Sequence, residues 1–329
     1  MVGLAVIGLF ALVAILGYAI TPDGTPHCNQ QYLELATLRP GSKATLLCID
    51  AKEDAGGSFF KGHPLPYTAI PIESYKERGD SLCYVPLAGA PQTIARTRVV
   101  KVDERRFWLG TDAYGRDVLS MIMIGSRVSL SVGLIAVLIA LLIGITLGAF
   151  AAYHGGWVDN LIMWFINVVW SIPTVLLVIA ITFALGKGFW QVFIAVGLTM
   201  WVDIARVVRG EVYSLKEKEF VTAGRALGYS SFRIIFRHIL PNIAGAVIVV
   251  TASNFASAIL LEAGLSFLGI GVQPPMPSWG TMVKENYSYI LLDSAYLALL
   301  PGAAIMLIVL AFMLVGNGLR DALDIKESR

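Results

Sequence analysis

Six stretches of this chain run without Asp, Glu, Lys or Arg: residues 2–22, 128–158, 160–186, 188–202, 238–261 and 294–319. A helix that crosses a bilayer needs about 20 mainly apolar residues, so the pattern predicts six membrane-spanning helices. The fourth stretch is short and is expected to extend through Asp203 toward Arg206. A seventh charge-free run, 263–283, is rich in proline and glycine. It reads as a loop or re-entrant segment, because backbone groups in lipid must find partners within the protein. Pro173, in Ser171-Ile-Pro173, removes a helix hydrogen bond and predicts a kink in the third helix.

Between the first two apolar runs the pattern changes. Residues 23–107 are polar, with proline, glycine and mixed charge, and are long enough for a small extracytoplasmic domain. Alternation in 44–49 and 97–102 predicts strands there, so the insert is expected to be α/β or β-rich. Thr111 or Asp112 offers a helix cap, and Asp117 suits the positive end of a helix. By composition alone, 108–130 reads as an amphipathic helix lying on the outer membrane face.

A short charged segment separates the fourth and fifth apolar runs. Residues 215–227 are helix-forming and stop at Gly228. Ser230 or Ser231 can cap a second helix, in which Phe232, Ile235, Phe236, Ile239 and Leu240 share one face and Arg233 and Arg237 the other. Two short cytoplasmic helices meeting at Gly228 would form a compact knob. The alternative is an ordinary connecting loop.

Composition agrees with a membrane protein. The chain is 56% hydrophobic and 15% charged, against about 25% charged for soluble domains, and its mean hydropathy is +0.70. Close to half of the charged residues lie between Asp23 and Arg106. Arg206, Arg209, Lys216, Lys218, Arg225, Arg233 and Arg237 cluster before the fifth helix, and Arg320, Lys326 and Arg329 follow the sixth. Basic residues in short loops stay cytoplasmic, which places both termini inside and residues 21–125 outside. The first run lacks a basic leader and a clear cleavage site, so it is expected to be an uncleaved anchor rather than a signal peptide.

Candidate chemistry is sparse. Gly186-Lys187-Gly188 lacks the first glycine and the Ser or Thr of a phosphate-binding loop. No catalytic constellation or metal-ligand spacing occurs, and no cofactor, catalytic residue or nucleic-acid partner is implied. His27, Cys28 and His63 are the weak exception for a metal site. Cys48 and Cys83 are a candidate disulfide, with three free thiols the equal alternative. Asp203 and Arg206 are three apart and can form a structural ion pair; Glu262, at the outer end of the fifth helix, reads similarly. The helix centres carry no ionisable groups of the kind that ion-driven transporters use, so the driving force is expected from outside the chain.

Four blocks then carry a resemblance: Leu109-Gly-Thr-Asp-Ala-Tyr-Gly-Arg-Asp-Val-Leu-Ser120, Ala205-Arg-Val-Val-Arg-Gly-Glu-Val-Tyr-Ser-Leu-Lys216, the segment 219–241, and Glu262-Ala-Gly-Leu-Ser-Phe-Leu-Gly-Ile-Gly-Val-Gln-Pro-Pro-Met-Pro-Ser-Trp-Gly280. In this order they resemble the C-type inner-membrane permeases of dipeptide and oligopeptide ABC importers, over roughly residues 108–320. The family's coupling signature reads Glu-Ala-Ala, three residues, Gly, nine residues, Ile-x-Leu-Pro. Here Thr222, Ala223 and Gly224 stand for Glu-Ala-Ala, Gly228 fits, His238 replaces Ile, and Leu240-Pro241 fit.

The resemblance implies an all-α membrane protein of six spanning helices with coupling helices near 215–240; composition divides the chain into a first helix at 1–22, an insert at 23–107 that is larger than the family leads one to expect, and a core at 108–329. It implies a bacterial inner-membrane location among lipid. The implied partners are a homologous second permease, two cytoplasmic ATP-binding subunits and an extracytoplasmic substrate-binding protein. Glu219, Thr222, Ala223, Gly224, Arg225, Gly228, Leu240 and Pro241 would form the ATPase-coupling surface. Gly110, Thr111, Asp112, Gly115, Arg116 and Asp117 would form a family motif at the outer interface. The implied activity is import of di- or oligopeptides by a non-enzymatic subunit. Nickel chelates and oligosaccharides are alternatives within the same fold, and a stand-alone secondary transporter or channel, or an envelope sensor, is the alternative of another class. Substrate-contacting residues cannot be read from helices that are apolar all round.

Overall fold

The computed structural model describes residues 1–50, 56–186 and 188–327, with side chains through residue 323. Lys187, Arg329 and the side chain of Lys326, all weighed in the sequence, lie outside that description. Long helices fall on the apolar runs: α1 (Val2–Leu16), α2 (Val118–His154), α3 (Gly156–Trp170), α4 (Thr174–Leu185) and α5 (Phe189–Leu215). After the short α6 (Glu219–Ala226) and α7 (Ser231–Arg233) come α8 (Ala244–Phe267), α9 (Trp279–Asn286) and α10 (Tyr296–Glu327). Five described helices are long and apolar enough to cross a membrane, or six if α3 and α4 count as one bent span.

That bend is 91° and falls at the predicted proline. Pro173 sits between the two helices; the Ser171 amide still reaches the Asn167 carbonyl at 3.0 Å, and the ladder then breaks. Two helices run well beyond their charge-free stretches. α2 begins ten residues early because Asp117 caps it, and α5 continues to Leu215 through Asp203, Arg206, Arg209 and Glu211. Charge ends an apolar layer without ending a helix.

The chain divides into two compact units. In the first (Met1–Phe10, Ser129–Gln273, Ile305–Arg329), α5 is the central element. It packs against α3, α4 and α8, and Val192, Phe193, Ile204, Val208 and Val212 are wholly buried. α2 passes α5 at Gly148, where any side chain would overlap the Ala205 carbonyl. Close approach at small residues is how membrane helices gain contact where no hydrophobic drive exists.

The second unit (Ala11–Val128, Pro274–Ala304) holds a five-stranded antiparallel sheet in the order β4-β3-β2-β1-β5. The strands are β1 (Lys43–Ile49), β2 (Thr68–Arg78), β3 (Ser81–Pro86), β4 (Gln92–Ala95) and β5 (Val99–Arg106). β1 is buried on both faces. Leu47 and Ile49 join Ile72, Leu82 and Ile94 on one side, while Ala44 and Leu46 join Tyr32, Leu35 and Phe107 on the other. The two segments expected to be strands are thus β1 and its antiparallel neighbour β5, except that residues 96–98 form a helical turn before β5.

The Cys48–Cys83 disulfide does not form; all three cysteines are free. Cys48 lies opposite Ala69 on β2, and Cys83 lies opposite Lys76 on the same strand. Seven residues along a strand are about 23 Å, and a disulfide needs Cα atoms within roughly 7 Å. The Cys28 thiol is buried and donates to the Asp23 carbonyl at 3.1 Å. Among the described residues no three metal-ligating side chains come together, His27, Cys28 and His63 included. Denatured without reductant, the chain should bind a maleimide at each of its three cysteines by mass spectrometry; labelling of only one would restore the disulfide.

Candidate functional site

The knob between α5 and α8 is built around one turn. α6 ends in a Schellman motif: the Gly228 amide reaches the Arg225 carbonyl at 2.9 Å and the Tyr229 amide reaches Gly224 at 3.0 Å. The motif requires a left-handed residue after the helix, and Gly228 has φ +74°. Ser230, not Ser231, then caps α7, accepting from the Arg233 amide at 3.3 Å. Residues Ile234–Ile239 widen into a π-helix, in which the Leu240 amide reaches back to Ile235 at 2.9 Å.

Only one side of the knob is anchored. Val221 and Gly224 from α6 meet Ile234, Ile235 and Ile239, all buried. Gly224 is not required by space: an added Cβ would sit 3.5 Å from the Tyr229 ring and 3.7 Å from Ile234. Glu219, Thr222, Ala223, Arg225, Gly228 and Pro241 face outward, and Leu240 is half-buried. The expected apolar stripe is therefore corrected. Ile235 and Ile239 point in, joined by Ile234, whereas Phe232 and Phe236 are exposed and pack on each other with ring centroids 4.3 Å apart. The π-helical widening shifts the face after Arg233, which 3.6-residue spacing does not anticipate. Leu227 and Phe232 are each 69% exposed. The knob thus presents apolar side chains beside Arg225 and Arg237.

Charged contacts brace its base. Arg209 on α5 pairs with Asp159 on α3 through two bonds of 2.6 Å. Lys216 donates to the Ala152 carbonyl at 3.0 Å, and Arg225 lies 5.2 Å over the Tyr153 ring. The expected Asp203–Arg206 pair is absent among the described residues. Asp203 is exposed, while Arg206 turns to α3, donating to Asn167 at 2.9 Å and lying 4.0 Å over the Trp170 ring. A face packed on an aromatic ring holds a guanidinium better than a solvated carboxylate three residues away.

The 110–117 motif is a buried hub rather than a surface helix. Thr111 and Asp117 pair as an isolated bridge. Thr111 accepts from the Leu38 amide at 2.8 Å and donates to the Leu35 carbonyl. Asp112 accepts from the amides of Tyr114 and Arg116, each at 2.9 Å, and from Arg116 Nε at 2.7 Å. Arg116 also reaches Glu285 at 2.5 Å. Gly110 and Gly115 have positive φ, and at Gly115 a side chain would overlap the Tyr32 backbone. Asp117 caps α2, accepting from the Ser120 amide at 2.9 Å and from the Ser120 hydroxyl. Burial raises its carboxyl above the ordinary carboxylate range, and its second oxygen is buried without a partner among the described residues.

Glu262 is wholly buried on α8. It accepts from Ser129 on α2 at 3.1 Å and from Ser266 at 2.7 Å, and Ser266 accepts from the Val272 amide at 3.2 Å. This ties the turn after α8 to its last helical turns. Trp279 is wholly buried too, its indole N–H donating to the Ile122 carbonyl at 3.0 Å.

Residues 144–328 match the family model described as "binding-protein-dependent transport system inner membrane component". This chain belongs to that family. It is a multi-pass membrane permease subunit of a binding-protein-dependent transporter, a family that works with ATP-binding and substrate-binding partners. Over 219 residues, 67% of this chain and 72% of the relative, it is 45% identical to the dipeptide transport system permease protein DppC of Alkalihalophilus pseudofirmus. Over the same shares it is 42% identical to the glutathione transport system permease protein GsiD of Pectobacterium atrosepticum. It is 38% identical to the oligopeptide transport system permease protein OppC of Bacillus subtilis, across 69% of this chain and 74% of that one. Among solved structures, the methionine ABC transporter MetNI in inward-facing conformations aligns with a TM-score of 0.48 at 16% identity, covering 60% of this chain and 96% of that chain.

Sequence reasoning missed the Asp159–Arg209 brace and the Ser129–Glu262 contact of this permease. The available signal was each acid standing alone in a long apolar stretch, where an unpaired charge is costly.

Asp117 sets a pH dependence for the permease. Its native state binds the proton more tightly than the unfolded chain, whose value is near 3.8. The proton-linked stabilisation is therefore complete below that value and is lost as pH rises through the raised native one. Thermal unfolding in detergent should show the wild type, measured against Asp117→Asn, losing ground as pH rises from below about 3.8. A wild type that gains stability relative to Asp117→Asn as pH rises would contradict the assignment.

Proposed function

We propose that this permease is the membrane-spanning half of an ATP-driven importer of short peptides. The observation that carries the reading is the outward-facing knob at Gly228, lodged in a chain whose relatives are dipeptide, oligopeptide and glutathione permeases. Those relatives favour peptides over the nickel chelates and oligosaccharides that the motifs alone admit. The arrangement proposed has six spans, with α3 and α4 as one broken span, and both termini in the cytoplasm. Residues 1–22 anchor the chain, 23–107 form an extracytoplasmic domain, and 108–329 form the permease core. A homologous second permease lies beside it, two ATP-binding subunits lie beneath, and a binding protein delivers peptide from outside.

In this reading Glu219, Thr222, Ala223, Arg225 and Gly228 meet a groove in an ATP-binding subunit, and the exposed Phe232 and Phe236 fill its apolar part. Closure of the ATPases moves the knob, and the braced base passes that motion to α3 and α5. ATP does work only insofar as the nucleotide states hold the knob differently, since a ligand shifts an equilibrium by its differential affinity alone. The hub at 110–117 fixes the start of α2 at the outer side.

Gly228→Asp forces a side chain into the left-handed region, a strain of about 1–2 kcal/mol, and adds a charge to the docking face. It should lower uptake of a labelled dipeptide at least about tenfold, equivalent to 1.4 kcal/mol of coupling. Gly224→Ala, whose Cβ fits, should transport at close to the wild-type rate. Unchanged uptake in a well-expressed Gly228→Asp chain would sink the coupling assignment.

A further inference from the structure

A cavity of about 620 Å³ opens where the last turns of α5, the start of α8 and the end of α10 come together. Ligand sites occupy roughly 300–1,000 Å³, so it is of a size for a small organic molecule. Its lining is mixed. Ile243 and Leu323 give it apolar wall, while Glu211 from α5, Arg320 from α10, and Asn242 and Ser253 give it polar groups. One acid and one base therefore reach the same space from two different helices. A solute that carries both an ammonium and a carboxylate complements that lining better than a neutral sugar or a simple anion.

The cavity also adjoins the knob along the chain. Asn242 lines it, and its side-chain amide donates to the His238 carbonyl at 2.5 Å, within the π-helix that ends the knob. Glu211 stands one turn before the end of α5, which leads into α6. An occupant would touch the residues on either side of the coupling segment.

We infer that this cavity binds the zwitterionic backbone of a short peptide on the side of the membrane where the ATPases dock, with Glu211 facing the peptide's ammonium and Arg320 its carboxylate. This rests on the peptide-import reading above and adds a release-side site to it. Asn242 and Ser253 supply hydrogen bonds to the intervening amide. Peptide bound there bears on the end of the coupling segment, so accumulated product acts back on the machine that delivered it.

The test uses the permease complex in lipid nanodiscs without binding protein, titrated with radiolabelled glycyl-leucine, its N-acetyl derivative and its C-terminal amide. Wild-type complex should bind the free dipeptide saturably. Capping either terminus should weaken binding about tenfold, the loss of one charged hydrogen bond. Glu211→Gln should erase the discrimination against the N-acetyl form only, and Arg320→Gln the discrimination against the amide only. That crossed pattern requires a folded site, so misfolding cannot imitate it. Absence of saturable binding, as when lipid or the second permease fills the space, overturns the inference. So does discrimination that persists in both variants. Dipeptide uptake by cells carrying the wild-type chain separates the two readings. Uptake without crossed discrimination removes the site and leaves the importer; crossed discrimination without uptake does the reverse.

Discussion

Every helix end leaves backbone groups without partners, and each departure from helix must supply them. The irregular parts of this permease follow from that constraint. At the head of α2, Asp112 gathers two amides and a guanidinium, Asp117 caps the helix, and Thr111 bridges to residues 35 and 38. At the end of α8, Ser266 and Glu262 hold the turn. At the knob, the Schellman turn and the Ser230 cap close two helix ends within three residues. Each irregular segment meets its helix-end backbone groups locally.

The knob differs from the hub in one respect. The hub turns its polar side chains inward, with Thr111, Asp112 and Asp117 almost wholly buried. The knob turns Thr222, Arg225 and two phenylalanines outward while keeping a small isoleucine core. An exposed apolar and basic face on a rigid base is a surface shaped for another protein. The cavity beside it is walled by the same helix ends, so the proposed docking and solute sites share structural elements.

Much of this was legible in the sequence for identifiable reasons. Charge-free runs mark spans because charge is costly in lipid. Pro173 marks the broken helix because it lacks an N–H, and Gly228 marks the turn because few other residues sit comfortably at positive φ. What stayed hidden depended on tertiary context. Phe232 and Phe236 face outward where the helical period put them inward, in a segment that widens into a π-helix at 234–239. Arg206 found an aromatic ring on another helix rather than the acid on its own. Cys48 and Cys83 looked like a pair until strand register put them far apart along β2. The hub read as a surface helix because its composition gives no hint that residues 32–38 fold over it.

The central claim is that the exposed face of the knob meets an ATP-binding subunit. A photo-crosslinking amino acid placed at Thr222, in the full chain in native membranes, tests it most directly. The account predicts one dominant adduct, identified by mass spectrometry as a protein with a P-loop, and its loss when the same probe is moved to the sheet at Glu77. Adducts with lipid alone, or with a second copy of this chain, in membranes where the transporter is assembled, would contradict it.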